Sequence, residues 1–263
     1  MRTILFLTLL LSSYLSFSQA RITILTYNVF HGEMAGNPGK PSLDSIASFI
    51  NGLKPDFVLL QEVDSATERS AGIYGKKIDF VKELAQKTGM YGYFGKAMDY
   101  DGGGYGEALL ASKPHDVKVA VLPSPAGGEP RSLIYTNTRL SNGQNIIVGG
   151  THLCHEFNEN RLAQVEQITS VYKNLLVPSI VCGDFNVEMK EEPYQVMMNY
   201  WKDAAIQRQQ PLYTYPTDMP SKRIDYAFLT KRGNWRVVKT ETFPLKYSDH
   251  LPLMFTIELT ISE

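Results

Sequence analysis

The chain has 263 residues, 43% hydrophobic and 20% charged, with 26 Lys and Arg against 27 Asp and Glu for a net charge of −1. That length and mix bury a substantial core and exclude disorder, collagen and coiled coil as the main state. The balanced charge excludes a broadly basic nucleic-acid coat, and the two cysteines are too few for a disulfide framework.

The first twenty residues read as an export signal. Arg2 precedes the short apolar run Ile4 to Leu11, and a polar tail ends Ser18-Gln19-Ala20, with small residues where a signal peptidase needs them. The run is too short to span a bilayer comfortably. The sequence therefore divides into a signal over 1–20, cleaved after Ala20, and one domain over 21–263. Its product is expected to be a monomer, periplasmic or extracellular, with no stable membrane insertion.

Ile22 to Val29 is a strand. Ser42 caps a helix whose inward face is Leu43, Ile46, Ile50 and Leu53; Pro55-Asp56 ends it, and Phe57 to Leu60 is a buried strand. Lys77 to Thr88 predicts a second helix stopped by Gly89. Short strands follow at Tyr91 to Phe94, Ala108 to Ser112 and Val117 to Leu122, with loops over Asp99 to Gly106 and Pro123 to Pro130. Leu133 to Leu140 and Asn145 to Gly149 form a hairpin around Asn142-Gly143. Glu159 to Leu176 is the longest helix, Ser179 to Cys182 a buried strand and Pro193 to Trp201 a short helix. Strands at Ile224 to Leu229, Trp235 to Thr240 and Leu253 to Leu259 complete a layered α/β pattern with mixed sheets.

The chemistry sits where the apolar runs stop. They end at Asn28, at Glu62, at His152 and at Asp184 with Asn186 two residues on; Asp225 opens a late strand, and Asp249-His250 precedes the last one. Charged groups and imidazoles at buried strand ends are costly unless paired or metal-bound. Hard oxygen donors with few thiols suit Mg²⁺, Mn²⁺ or Ca²⁺ better than Zn²⁺, and no His-rich zinc spacing is present.

Thr26-Tyr27-Asn28-Val29, Leu60-Gln61-Glu62-Val63, Thr151-His152-Leu153, Gly183-Asp184-Phe185-Asn186, Arg223-Ile224-Asp225-Tyr226 and Ser248-Asp249-His250 occur in that order. Each motif is short, but the ordered set resembles the endonuclease/exonuclease/phosphatase superfamily and spans nearly the whole mature chain. The resemblance implies a DNase I-like four-layer α/β/β/α sandwich, two mixed β-sheets packed face to face with helices outside. It also implies a divalent cation, Mg²⁺ or else Mn²⁺ or Ca²⁺, held by Glu62 and Asp249 with Asn28 beside them.

In the same pattern Asp184 orients or deprotonates the attacking water, and Asn186 holds water and phosphate. His250 meets the scissile phosphate with Asp225 fixing its ring. His152 binds the phosphate or supports the leaving group, with Glu107 as its orienting partner. Arg131 resembles a family arginine near the substrate, with an ordinary surface charge as the alternative, and Arg223 is a weaker substrate-binding candidate. His31 reads as a loop histidine, His155 as a residue near the cleft and His115 as exposed. Cys154 lies past the level of His152 and Cys182 below that of Asp184, an offset of about 13 Å at strand rise, so both thiols are expected free.

The implied substrate is a phosphoester: nucleic acid, or a small or lipid phosphodiester. A phosphodiesterase or nuclease leads. The alternative is a phosphatase or a phospholipid or inositol-phosphate head-group hydrolase. A non-catalytic binding protein on this fold would need a degraded motif, and none is degraded.

Overall fold

The computed structural model describes residues 19–205 and 212–260. Most of the expected signal, 1–18, lies outside the described residues. Gln19 and Ala20, at the expected cut, begin the first strand opposite Thr260 and Leu259.

The elements in chain order are β1 (Gln19–Asn28), α1 (Leu43–Leu53), β2 (Phe57–Ser65), α2 (Glu68–Tyr74), α3 (Phe80–Thr88), β3 (Tyr91–Tyr100), β4 (Gly103–Ala111), β5 (Val117–Leu122) and β6 (Arg131–Arg139). Then come β7 (Asn145–His152), α4 (Asn158–Leu175), β8 (Ser179–Asp184), α5 (Glu192–Tyr200), β9 (Trp201–Asp203), β10 (Asp225–Thr230), β11 (Asn234–Thr242) and β12 (Leu253–Thr260). They build two six-stranded sheets, β11-β12-β1-β2-β4-β3 and β5-β6-β7-β8-β10-β9. Each sheet is mixed: β1 with β2 and β7 with β8 are parallel, and the remaining pairings are antiparallel.

The four layers follow from the period of two. Ile22 and Ile24 of β1 pack with Phe57, Leu59, Ile134, Val148 and Ile180 between the sheets. Leu25 and Tyr27, on the opposite face of the same strand, pack with Leu43, Ile46 and Ile50 of α1 and with Val81 and Leu84 of α3. In the other sheet Ile146 and Val148 face inward, while Ile147 meets Val165, Ile168 and Tyr172 of α4. Strands buried on both faces read as continuous apolar runs, as these do. The expected α/β/β/α sandwich is the observed one. Among the described residues, no helix is long and apolar enough to cross a membrane.

Two local expectations differ. The glycine-rich stretch Asp99 to Gly106 is not an open loop but the turn and flanks of the β3–β4 hairpin. A Cβ at Gly103 would lie 2.3 Å from the Ser65 carbonyl oxygen, and one at Gly106 would lie 2.2 Å from that of Gly95. Those glycines serve close strand approach, a use that composition alone reads as a loop. The helix expected from Lys77 starts at Phe80, because the Asp79 side chain accepts from the Lys82 amide at 3.0 Å. Helix α2 and strand β9 are too short to show a period.

Register then places the polar residues. His152 on β7 stands opposite Asp184 on β8, and Asp184 stands opposite Asp225 on β10, so three motifs share one rung of one sheet. Asn28 stands opposite Gln61 at the matching end of the other sheet. Cys182 lies level with Gly150, two residues short of His152, and both cysteines are free and buried.

Candidate active site

Strand ends deliver Asn28, His152, Asp184 and Asp225, loops deliver Asn186, Asp249 and His250, and Glu62 sits within β2; two of these are aimed by backbone that side chains seldom adopt. The β2–β4 ladder is interrupted between Leu60 and Val63, and Glu62 within that bulge has φ 57°. A bulge redirects a side chain out of the sheet's alternation, here toward the cleft. Asn186 has φ 49° in the turn after β8, where its amide N–H donates to Asp184 Oδ1 at 2.9 Å. Such conformations cost about 1–3 kcal/mol and persist at functional sites.

Asp184 is buried at the centre. Its Oδ2 accepts from Asn28 Nδ2 at 3.1 Å and lies 3.5 Å from the Nε2 atoms of both His152 and His250. His250 Nδ1 donates to Asp225 Oδ2 at 2.9 Å, the pairing expected from the motifs. Burial alone would depress the His250 pKa, but the carboxylates of Asp225 and Asp184 overcome it and push it up to about 10. His250 is therefore an imidazolium at neutral pH. Burial pushes Asp184 up from the usual carboxylate range, against the pull of that cation. Ser248 locks the last motif in place by donating to the Asn28 carbonyl at 2.7 Å.

Asn28 departs from its expected part as a ligand. Its Nδ2 donates to both Glu62 Oε1 and Asp184 Oδ2, while its Oδ1 accepts from the Phe30 amide. It ties the two carboxylates together rather than offering them a third oxygen. His31 lies close behind, 4.0 Å from Glu62 and 3.0 Å from Glu33.

Glu107 is not the partner of His152. The His152 ring meets Arg131 Nη1 at Nδ1, 3.1 Å away, and Asn186 Nδ2 at Nε2, 2.9 Å away. Glu107 is bonded instead to the Ser132 hydroxyl, which also donates to the Gly95 carbonyl at 3.0 Å. One hydroxyl proton cannot serve both oxygens, so a protonated Glu107 completes the pair. Burial agrees, pushing Glu107 up to about 8 against the opposing Ser132 bond. Glu107→Gln should therefore shift stability by about 1 kcal/mol at most. Its kcat should stay close to wild type; a collapse as deep as that of a His152 variant would restore the glutamate–histidine pairing.

Both arginines are engaged within the protein. Arg131 is buried, its Nη2 donates to His155 Nδ1 at 3.1 Å, and the same nitrogen is ion-paired with Glu129 Oε2 at 3.2 Å. Arg223 is turned into the protein, with Nη2 2.6 Å from Asp203 Oδ1 and its guanidinium 4.5 Å over the Tyr226 ring.

These groups open into a cleft of about 720 Å³. Glu62, Asp184, Asn186, His152, Asp249 and His250 line it, together with Arg69, Met98, Tyr100, Glu188, Glu191 and Lys222. The sequence motifs missed Arg69, Met98, Glu188 and Glu191 at the walls and Tyr215 against the His250 ring, because no spacing rule marks them.

A model of the endonuclease/exonuclease/phosphatase family matches residues 25–250. The chain belongs to that family. A search of curated proteins finds no significant match. Among solved structures, a functionally unknown conserved protein from Enterococcus faecalis is 21% identical with a TM-score of 0.74, over 90% of this chain and 99% of that one. The human Nocturnin catalytic domain with bound sulfate is 19% identical with a TM-score of 0.70, over 91% and 95%. A Bacteroides thetaiotaomicron mannosyl-6-phosphatase is 17% identical with a TM-score of 0.67, over 90% and 99%. At these identities the likeness establishes the shared fold.

Members of the endonuclease/exonuclease/phosphatase family hydrolyse phosphoester bonds and typically depend on a divalent cation. The residues here fit one. Glu62 and Asp249 present hard oxygen donors to the cleft, and Asp225 Oδ1 is buried without a hydrogen-bond partner. Asp184, Asp225 and His250 also have donor atoms within 4.8 Å of one another.

Proposed function

We propose that the chain is an exported, divalent-metal-dependent phosphodiesterase using in-line attack of water on phosphorus. The observation that carries this reading is the buried rung His152–Asp184–Asp225, with His250 on Asp225, facing the Glu62 and Asp249 carboxylates across one cleft. Asp184 is the base for the attacking water, and Asn186 positions it. The His250 imidazolium meets the developing charge on the phosphoryl oxygens, and His152 supports the leaving oxygen. Glu62 and Asp249 would hold Mg²⁺, or Mn²⁺ or Ca²⁺ in its place, and the bound cation supplies Lewis-acid neutralisation of phosphoryl charge. The amino-terminal Met1 to Ala20 segment supports export.

The cleft favours a small diester over a long polynucleotide. Its Arg69 is paired with buried Asp64 at 2.7 Å and its Arg131 with Glu129, while Glu188 and Glu191 add negative charge. Proteins that track a nucleic-acid backbone need unpaired basic groups along it. Carboxylates at a cleft wall also accept sugar hydroxyls, which favours a sugar-phosphate monoesterase as the second reading.

The test compares supercoiled plasmid, bis(p-nitrophenyl) phosphate, p-nitrophenyl phosphate and hexose phosphates, each with Mg²⁺, Mn²⁺ or EDTA. Chelator-sensitive turnover of the small diester above the monoesters is expected. Nicking of plasmid as the leading activity would establish a nuclease. Turnover of hexose phosphates alone would move the assignment to a phosphatase, and turnover surviving EDTA would overturn the metal.

A further inference from the structure

We propose that Arg131 is a positioning residue that holds His152 in one tautomer, with Nδ1 bare and Nε2 protonated. His152 then meets the substrate as a neutral hydrogen-bond donor rather than as a proton-transferring acid. The role in turnover rests on the hydrolase reading above; the tautomer rests on geometry alone.

A guanidinium has five N–H donors, no acceptor and no proton to lose. Arg131 Nη1 lies 3.1 Å from His152 Nδ1, and both side chains are buried. That nitrogen must therefore present its lone pair, and a neutral imidazole that does so carries its proton on Nε2. The other ring contact is consistent with this only in one way. Nε2 lies 2.9 Å from Asn186 Nδ2 and 3.5 Å from Asp184 Oδ2. A ring that accepted at both nitrogens would carry no proton. The guanidinium has no other face to offer, whereas Asn186 Nδ2 has a second acceptor in the Leu153 carbonyl at 3.0 Å and the Asp184 carboxylate can take the Nε2 proton. The Nε2–H thus points toward Asp184 and the cleft.

The arginine cannot swing away to release Nδ1. Its Nη2 is held by His155 and Glu129, the Tyr105 hydroxyl lies beside it, and the side chain is 2% exposed. A second proton on Nδ1 would face a fixed N–H at hydrogen-bond distance. Burial and then the Arg131 charge accordingly hold His152 well below the ordinary histidine range. A carboxylate at that position would do the reverse, accepting Nδ1–H and supporting an imidazolium. Exchanging the carboxylate for a guanidinium removes the acid chemistry and keeps the donor.

The test is two-bond ¹H–¹⁵N correlation of the histidine rings in the metal-free full-length protein, with His152 assigned from His152→Gln. One bare Nδ1 and one protonated Nε2 are expected, with the tautomer scrambled or reversed in Arg131→Met and restored in Arg131→Lys. In kinetics Arg131→Met should lose about 10- to 100-fold in kcat with KM little changed. His152→Gln, which keeps an N–H but no acid, should retain more activity than His152→Ala. A protonated Nδ1 in wild type, or an Arg131→Met spectrum identical to wild type, would overturn the proposal. If Arg131→Met does not fold, the wild-type spectrum still decides. A protein with the expected tautomer but no phosphoester turnover would sink the hydrolase reading and leave the tautomer standing.

Discussion

Asp184→Asn is expected to lower kcat for phosphoester hydrolysis by about 10²- to 10⁴-fold, the worth of a positioned general base. The position accounts for the size of the effect. Asp184 closes a buried strand, and each of its oxygens is already fixed, Oδ1 by the Asn186 amide and Oδ2 by Asn28 Nδ2. An amide in its place keeps the volume but cannot take a proton from water. Its NH₂ group must also face either the Asn186 N–H or the Asn28 NH₂, a donor against a donor. Binding should suffer less than turnover, because Glu62, Asp249 and the cleft walls remain. The measurement is kcat and KM with saturating Mg²⁺ on the preferred small ester, alongside a thermal melt to show that the variant folds. A folded Asp184→Asn protein with wild-type kcat would remove Asp184 from the chemistry.

The reach of the sequence differs between backbone and side chains, and the difference has a physical cause. Burial on both faces makes a strand apolar along its length, so its polar terminus is visible, and the parallel and antiparallel registers then bring such termini level. His152, Asp184 and Asp225 were legible for that reason, and so was the His250–Asp225 pair once the motifs were in order. Orientation within the rung was not legible. Whether Asn28 offers oxygen or nitrogen depends on the Phe30 amide and on two carboxylates that come from other strands. Glu107 and Arg131 both lie near the rung, and only the packing of β4 against β6 decides which one meets His152. Ser132 on β6 takes Glu107, and Arg131, one residue earlier on the same strand, takes the histidine. Arg223 is a similar case. Its partner Asp203 sits on a three-residue edge strand, too short to leave any pattern in the sequence.

Asp225→Asn is expected to cost stability as well as turnover, and its stability cost should depend on pH. Asp225 is buried and accepts the Nδ1–H of a buried imidazolium. Removing one partner of such a pair leaves a charge uncompensated in the interior and costs about 3–5 kcal/mol. The sign with pH follows from His250, whose folded pKa is raised from the ordinary histidine value of 6.5 to about 10, burial notwithstanding, by Asp225 and then Asp184. A raised folded pKa means that the native state binds the proton more tightly than the unfolded chain. The stabilisation is therefore fully present below pH 6.5 and is lost as pH rises through about 10. Asp225→Asn lacks the larger source of that shift, so wild type should exceed it most at pH 6 and converge on it near pH 10. Denaturant unfolding of both proteins at pH 6, 8 and 10 gives the two curves directly. Parallel curves would show that Asp225 stabilises by packing alone and that His250 is not the cation the site needs. Convergence, together with a loss of kcat at pH 7, would tie the same ion pair to the fold and to the charge that builds on phosphorus.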